Sequence, residues 1–306
     1  MPNRTGVLEN VPENVTVTSI EVFEQHRGRM FGIAYRMLGS ATEAEDVVQD
    51  AWLRWQASDA GAVRDPGAFL ATIVTRLCLT ALDSARARRE VYVGPWLPEP
   101  IATGDDPSLA AEHAESLNLA VLLLLERLTA PERAAYVLHE AFGYPFRDVA
   151  EVLDTSEANA RQLASRARTH LDRERGATVP PADRARLLGA FLAAAQGGDL
   201  EALEAMLADD AVSLSDGGGV VGAARRAVQG RSRVAQLVVG VLEKFGVGIV
   251  PVPVGANGEL AILGVREGKP VVVWTLDIGP EGIRRLMIVL NPEKLGRFEQ
   301  AALSQS

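Results

Sequence analysis

Seven side chains on one stretch, Glu157, Asn159, Arg161, Gln162, Ser165, Arg166 and Arg168, carry donor and acceptor groups of the kind that hydrogen-bond base edges and phosphates in a DNA major groove. That chemistry needs a helix able to enter the groove and a second helix to seat it across the backbone. The surrounding residues predict both. Val149, Ala150, Val152 and Leu153 recur on one side of a first helix, and Ala160, Leu163, Ala164, Ala167 and Leu171 on one side of a second. Asp154, Thr155 and Ser156 form the turn between them. Ser156 stands at the groove-facing end and also suits an N-cap, where a hydroxyl accepts from an orphan backbone N–H. A solvated basic helix has the same pattern, so the residues alone leave two readings open.

Two further charged surfaces carry possible contacts. Residues 40–56, SATEAEDVVQDAWLRWQ, predict a helix with Glu43, Glu45 and Asp46 in its first turn, where the helix dipole favours negative charge, and with Val47, Val48, Ala51 and Trp55 apolar. Its acidic and aromatic members, Glu45, Asp46, Gln49, Asp50, Trp52 and Trp55, read as a docking surface for a partner or as an ordinary solvated helix with buried tryptophans. Gly67 to Arg89 predicts a long helix ending in the basic run SARARRE. Arg76, Arg86, Arg88 and Arg89 are its candidate phosphate contacts, although cations also suit a helix C-terminus.

Composition limits the remaining possibilities. At 306 residues, 47% hydrophobic and 23% charged, the chain can fill two or three cores. A net charge of −9 argues against non-specific coating of nucleic acid, which draws its affinity from many Lys and Arg contacts to phosphate. The single cysteine, Cys78, lies in an apolar run and suits a reducing compartment. The first twenty residues contain no long apolar segment, and no uninterrupted apolar run spans a bilayer, so a cytoplasmic protein without membrane association is expected.

Along the chain, residues 1–18 read as a flexible lead-in and 19–90 as a helical unit. Residues 91–109 form a proline-rich linker with Tyr92, Trp96, Leu97 and Ile101 as apolar handles, and 110–174 are helical again. Residues 180–306 read as a separate α+β domain. Helices are expected at 183–196, 200–207 and 232–245, and strands at 247–254, 259–265, 270–278 and 283–290, joined by turns such as Asn257-Gly258 into an antiparallel sheet. A short helix is expected over 293–302. All four histidines and all four tyrosines precede residue 180, as does Cys78. The tail thus lacks the side chains most used in proton transfer or nucleophilic attack. Its carboxylates Asp209, Asp210, Asp216, Asp277 and Glu259 read as turn or surface groups. No catalytic residue, metal site or cofactor is expected.

The order of TEAEDVVQDAWLRW, DPGAFLATIVTRLCLTALDSARARR, the proline-rich connector and LTAPERAAYVLHEAFGYPFRDVAEVLDTSEANARQLASRAR resembles bacterial extracytoplasmic-function sigma factors over residues 20–172. YVGPWLPEP at 92–100, DGGG at 216–219 and NPEKL at 291–295 resemble signatures of the group with a fused SnoaL-like C-terminal domain. The resemblance implies two all-α sigma domains and an α+β tail of the SnoaL-like, NTF2-like type. Residues 19–90 would be region 2, binding core RNA polymerase through the acidic helix and the −10 element, and 110–174 would be region 4, reading the −35 element of promoter DNA. The tail would replace a separate anti-sigma factor, acting through Trp96, Leu97, Pro98, Asp216, Gly217, Gly218, Gly219, Asn291, Pro292 and Lys294, with a small-molecule ligand possible. Val220 stands where the group has Lys, and Thr80 to Ser84, with Asp83, depart from its usual basic string. The alternatives are a ligand-sensing repressor, which requires a dimer on two half-sites, and a SnoaL-like isomerase or cyclase fused to a DNA-binding head.

Overall fold

The structure, a computed structural model, describes residues 13–59, 63–103, 118–174 and 179–303. Three helices form the first unit: α1 (Glu13–Leu38), α2 (Ala41–Gln56) and α3 (Pro66–Glu90). Gly39, at φ 67°, ends α1, and Ser40 then caps α2 by accepting from Glu43 N at 3.2 Å. Asp65 caps α3 by accepting from Ala68 N at 3.0 Å, with Pro66 in the first turn where its missing N–H costs nothing. Helix α1 starts at Glu13, inside the stretch expected to be flexible. Val15, Thr16 and Val17 nucleate helix poorly, but adding turns to an existing helix avoids the nucleation cost. The Pro66–Ala85 part of α3 is long and apolar enough to cross a bilayer by length and composition. It packs on α1 and α2, burying Leu70, Val74, Cys78 and Leu82.

The second unit contains α4 (Leu119–Leu125), α5 (Ala130–Tyr136), a π-helical turn over Val137–Ala141, α6 (Phe146–Val152) and α7 (Glu157–Glu174). Thr129 and Glu132 form a reciprocal capping box on α5. Asp154, at φ 50°, makes the turn after α6, and Ser156 accepts from Asn159 N at 3.2 Å to start α7. The expected helix from Ala110 is described only from Asn118, which caps α4; residues 110–117 lie outside the described residues.

The tail comprises α8 (Pro181–Gly197), α9 (Leu200–Met206), β1 (Leu207–Asp216), β2 (Val228–Gln229), α10 (Arg231–Phe245), β3 (Val250–Ala256), β4 (Glu259–Arg266), β5 (Lys269–Gly279), β6 (Gly282–Val289) and α11 (Glu299–Leu303). Its sheet runs β2-β1-β6-β5-β4-β3, with β3 to β6 an antiparallel meander and β1 parallel to β6. This mixed sheet corrects the expectation of an all-antiparallel one, and Asp209-Asp210, read as turn or surface groups, are exposed but lie within the strand β1. Aspartates disfavour strands, but these two lie between the pairs Leu207↔Ile283 and Val212↔Arg285, where β1 bulges away from β6. The expected helix over 293–302 is instead two 3₁₀ turns, Pro292–Lys294 and Gly296–Phe298, followed by α11.

Strand alternation gives the sheet two buried faces. Ile262, Trp274, Leu286 and Ile288 meet Leu188 and Phe191 of α8 and Val234 and Val238 of α10. Leu263, Val273, Met287 and Val289 face the other way, and with Leu295, Phe298 and Ala302 they join the same core as both helical units. The tail is therefore packed into the helical part, not tethered to it. Phe298 has no exposed surface, whereas Leu303 is 66% exposed. Phe298→Ala should lower the urea unfolding free energy by about 3–5 kcal/mol, and Leu303→Ala should change it by less than about 0.5 kcal/mol.

Candidate functional site

On α7, Ala160, Ala164, Ala167 and Leu171 are buried, while Glu157, Asn159, Arg161, Gln162, Ser165, Arg166 and Arg168 are exposed. Arg161 pairs with Glu157 and lies over the Phe146 ring at 4.9 Å, which fixes its guanidinium near the turn. Arg168 sits 3.8 Å from Asp172 and 3.9 Å from Glu140. On α2, Asp46, Gln49 and Asp50 are exposed and Glu45 is half-buried. Trp52 lies edge-on to Phe23 at 4.8 Å. Trp55 does not join this surface: it is buried, and its Nε1 donates to Ser19 O at 3.0 Å. Leu53, 57% exposed, stands in the same stripe as Asp46, Gln49 and Asp50 at helical spacing. Sequence reasoning passed over it, because an apolar residue in an amphipathic helix is normally assigned to the core.

Two of the basic residues expected at DNA contact protein in this structure. Arg76 donates to the last carbonyls of α6, to Glu151 O at 3.1 Å and Val152 O at 3.3 Å, where a cation suits the helix C-terminus. Arg89 pairs with Glu126, donates to Leu38 O and stacks over Trp96 at 3.8 Å. The side chains of Arg86 and Arg88 lie outside what the structure describes. The two helical units also meet through Arg133, which donates to Met37 O at 2.6 Å and Glu126 at 2.8 Å; burial pulls its pKa down to about 10, so it remains a cation at neutral pH. Arg29 donates to Phe142 O at 2.6 Å and to the Tyr144 hydroxyl at 3.1 Å.

The linker is gripped by the tail. Asp216 ends β1 and opens the glycine turn with no exposed surface, so it is a turn carboxylate but not a surface one. Its Oδ1 accepts from the Tyr92 hydroxyl at 2.6 Å and Gly218 N at 3.1 Å, and its Oδ2 from Leu97 N at 2.9 Å and Lys294 Nζ at 2.7 Å. Lys294 also donates to Leu97 O at 2.6 Å and lies 4.4 Å from the centre of the Trp96 ring. Asn291 donates to the Tyr92 hydroxyl at 3.1 Å and caps the Pro292 turn by accepting from Glu293 N at 3.1 Å. A side chain at Gly218, where φ is 63°, would fall 2.5 Å from Asn291 Cγ. Burial lowers the Lys294 pKa against the opposing pull of Asp216, and burial with the Asp216 carboxylate raises that of Tyr92.

Other tail residues reach further into the helical units. Asn257 is buried in the β3–β4 turn at φ 53°, accepts from Ile101 N at 3.1 Å and donates to the Tyr35 hydroxyl at 2.7 Å. That hydroxyl donates to Glu99 O at 2.6 Å. The Glu99 carboxylate in turn accepts from Ala41 N at 2.8 Å and Thr42 N at 3.1 Å, adding negative charge at the start of α2. Glu259, also read as a surface group, accepts from Asn118 at 2.6 Å and pairs with Arg184. Asp277 is buried between Arg284 at 2.8 Å and Arg285 at 3.3 Å. Arg297 sits over the Phe31 ring at 5.4 Å, 3.4 Å from Glu45 and 3.9 Å from Glu99. No local signal marks these roles. The Asn-Gly pair announces a hairpin, but Asn257's partners lie 156 and 222 positions away.

A helix-turn-helix with a polar, basic exposed face, a second helical unit with an acidic helix, and a mixed-sheet tail clamping the linker make a three-part architecture. Residues 22–88 match Sigma-70 region 2 and residues 118–171 match Sigma-70, region 4. The chain belongs to the extracytoplasmic-function RNA polymerase sigma factors, in the group with a fused SnoaL-like C-terminal domain. It is 42% identical over 249 residues to the sigma factor SigJ of Mycobacterium tuberculosis, spanning 80% of this chain and 78% of that one. It is 32% identical over 281 residues to the probable sigma factor SigI of the same species, covering 88% of this chain and 92% of the relative. The crystal structure of M. tuberculosis SigJ superposes with a TM-score of 0.75 at 35% identity, over 90% of this chain and 97% of that one. The protein therefore directs RNA polymerase to promoters and initiates transcription, and neither the repressor nor the fused-enzyme reading is favoured.

Asp216→Asn leaves the Lys294 ammonium buried without its counter-charge, which costs about 3–5 kcal/mol. Urea midpoints should fall, and chymotrypsin should cut faster at Tyr92 and Trp96 of the linker. Adding Lys294→Met should restore part of the loss; a double variant as unstable as the sum of the singles would show that the pair is not coupled.

Proposed function

We propose that the SnoaL-like tail is a restraint that keeps regions 2 and 4 folded on each other, so that the chain serves RNA polymerase only after the clamp on the linker opens. The single observation behind this reading is the placing of Arg76 of region 2 on the α6 carbonyls at 3.1 and 3.3 Å. The −10 and −35 elements lie about 25 base pairs apart, or about 85 Å at about 3.4 Å per base pair. Two domains in direct contact cannot occupy both on extended DNA. Arg297 supports the same reading, since it covers Glu45 on the polymerase-facing side of α2.

In the open form, Glu45, Asp46, Gln49, Asp50 and Trp52, with Leu53 beside them, dock on core polymerase. Arg86 and Arg88 serve the −10 region. Ser156, Glu157, Asn159, Arg161, Gln162, Ser165, Arg166 and Arg168 face the −35 element, with Arg161, Gln162, Ser165 and Arg166 nearest the bases. The tail supplies the inhibition that a separate anti-sigma factor would otherwise bring. A protein that acts on RNA polymerase works in the cytoplasm.

In vitro transcription with core polymerase, on promoter DNA from upstream of the protein's own gene, tests this. Asn257→Gly keeps the positive φ and removes two buried hydrogen bonds, so opening becomes easier by about 1–3 kcal/mol and transcription should rise. Wild-type output from a variant whose linker has become protease-sensitive would overturn the restraint. Arg161→Ala and Arg166→Ala should each lower promoter use by about 1–3 kcal/mol if they pair with bases. Undiminished transcription from both would remove α7 from the DNA.

A further inference from the structure

The tail holds a cleft of about 960 Å³, open to solvent on one side, between the sheet and helices α8 and α10. Its floor is a row of side chains in register across four strands: Ser215 opposite Ile288, Ile288 opposite Trp274, and Trp274 opposite Ile262. Leu192 and Ala195 of α8 and Leu242 and Phe245 of α10 form the roof. An interior this apolar offers water few partners, and its size suits a drug-sized molecule. Polar groups gather at the mouth, where Gln196, Glu243 and Arg266 are exposed. Arg266 is held there by donation to Phe245 O at 2.6 Å and Val247 O at 3.2 Å.

The remaining wall is the back of the clamp. Val221 to Ala224 continue directly from the Asp216–Gly219 turn, and Pro292 and Leu295 flank Lys294; all of them line the cavity. The turn has little slack, since a side chain at Gly217 would fall 2.3 Å from Val221 O. One wall of the cavity is thus built from the two segments that carry Asp216 and Lys294, whose side chains hold the linker.

We propose that this cavity binds a predominantly apolar small molecule, with an aromatic or long hydrocarbon body and any polar group left at the mouth, and that its binding strengthens the clamp. The direction follows from linkage: a ligand that fits the closed form better than the open one shifts the population towards closed. The molecule would act as a co-inhibitor of the sigma factor. The direction of that effect rests on the restraint reading; the binding site itself does not.

The probe is 1-anilinonaphthalene-8-sulfonate, titrated into the full chain by calorimetry. One saturable site is expected. Leu192→Trp and Leu242→Trp enlarge half-buried roof residues and should each weaken binding at least tenfold without altering the circular dichroism spectrum. No saturable site, or unchanged affinity in both variants, would overturn the site. By reciprocity, Tyr92→Phe, which removes the hydroxyl joining Asp216 and Asn291, should also weaken the probe, and equal affinity would disconnect cavity from clamp. Saturating probe should slow cleavage of the linker and reduce transcription by the wild-type chain but not by Leu242→Trp. If the probe binds at one site and transcription is unchanged or rises, the co-inhibitor role fails while the site stands. If instead Asn257→Gly fails to raise transcription, the failure belongs to the restraint.

Discussion

The carboxylate of Asp216 has no exposed surface, and an ionised carboxylate taken out of water costs several kcal/mol unless its oxygens are fully met. Here they are met from three separated parts of the chain: the linker through Tyr92 and Leu97, its own turn through Gly218, and the NPEKL segment through Lys294. Lys294 extends the constraint by donating to Leu97 O, so that both the N–H and the carbonyl of Leu97 are held by the tail. Hydrophobic burial between the tail's second sheet face and the helical units supplies most of the attraction, being proportional to area and indifferent to direction. The buried ion pair sets the register, because its cost is repaid only in one arrangement.

Given that register, the rest of the arrangement follows. A held linker places Glu99 on the start of α2 and brings Ile101 against Asn257. With both linker ends placed, regions 2 and 4 are close enough for Arg133 to reach Met37 O and for Arg76 to reach α6. The two regions share one apolar core, and the polar contacts between them are mostly cations on backbone carbonyls and aromatic rings, with Arg29 and Arg36 over Phe142 at 5.4 and 4.8 Å.

Local pattern carried far in the helical units. The turn and second helix of the DNA-reading motif were legible because Ala160, Ala164, Ala167 and Leu171 recur at helical spacing after a capping serine, all within one short segment. The meander from β3 to β6 was legible for the same reason, its turns being spelled by Asn257-Gly258 and similar pairs. The parallel strand β1 was not, since the aspartates that argue against a strand sit on a bulge made tolerable by β6, some seventy residues downstream. The clamp was legible only as a set of strings: resemblance singled out Asp216, Asn291 and Lys294, while their residue types suggested turns. Arg89 and Trp55 fail in the opposite sense. Each has the right chemistry for an outward role and is drawn inward by a partner, Glu126 or Ser19 O, that no periodicity reveals.

If the tail restrains the chain as proposed, the free protein is closed, and polymerase and promoter use an open form. Cys78, the single cysteine, is fully buried, so fluorescent labels can be introduced at exposed Gln25 on α1 and Arg173 on α7, away from the docking and DNA-facing residues, by Gln25→Cys and Arg173→Cys. The distance between them, measured by energy transfer, should be short and narrowly distributed in the free chain and should lengthen to tens of ångströms more in the complex with core polymerase and promoter. A free chain already as extended as the promoter complex, or a distance that does not change on assembly, would contradict the account.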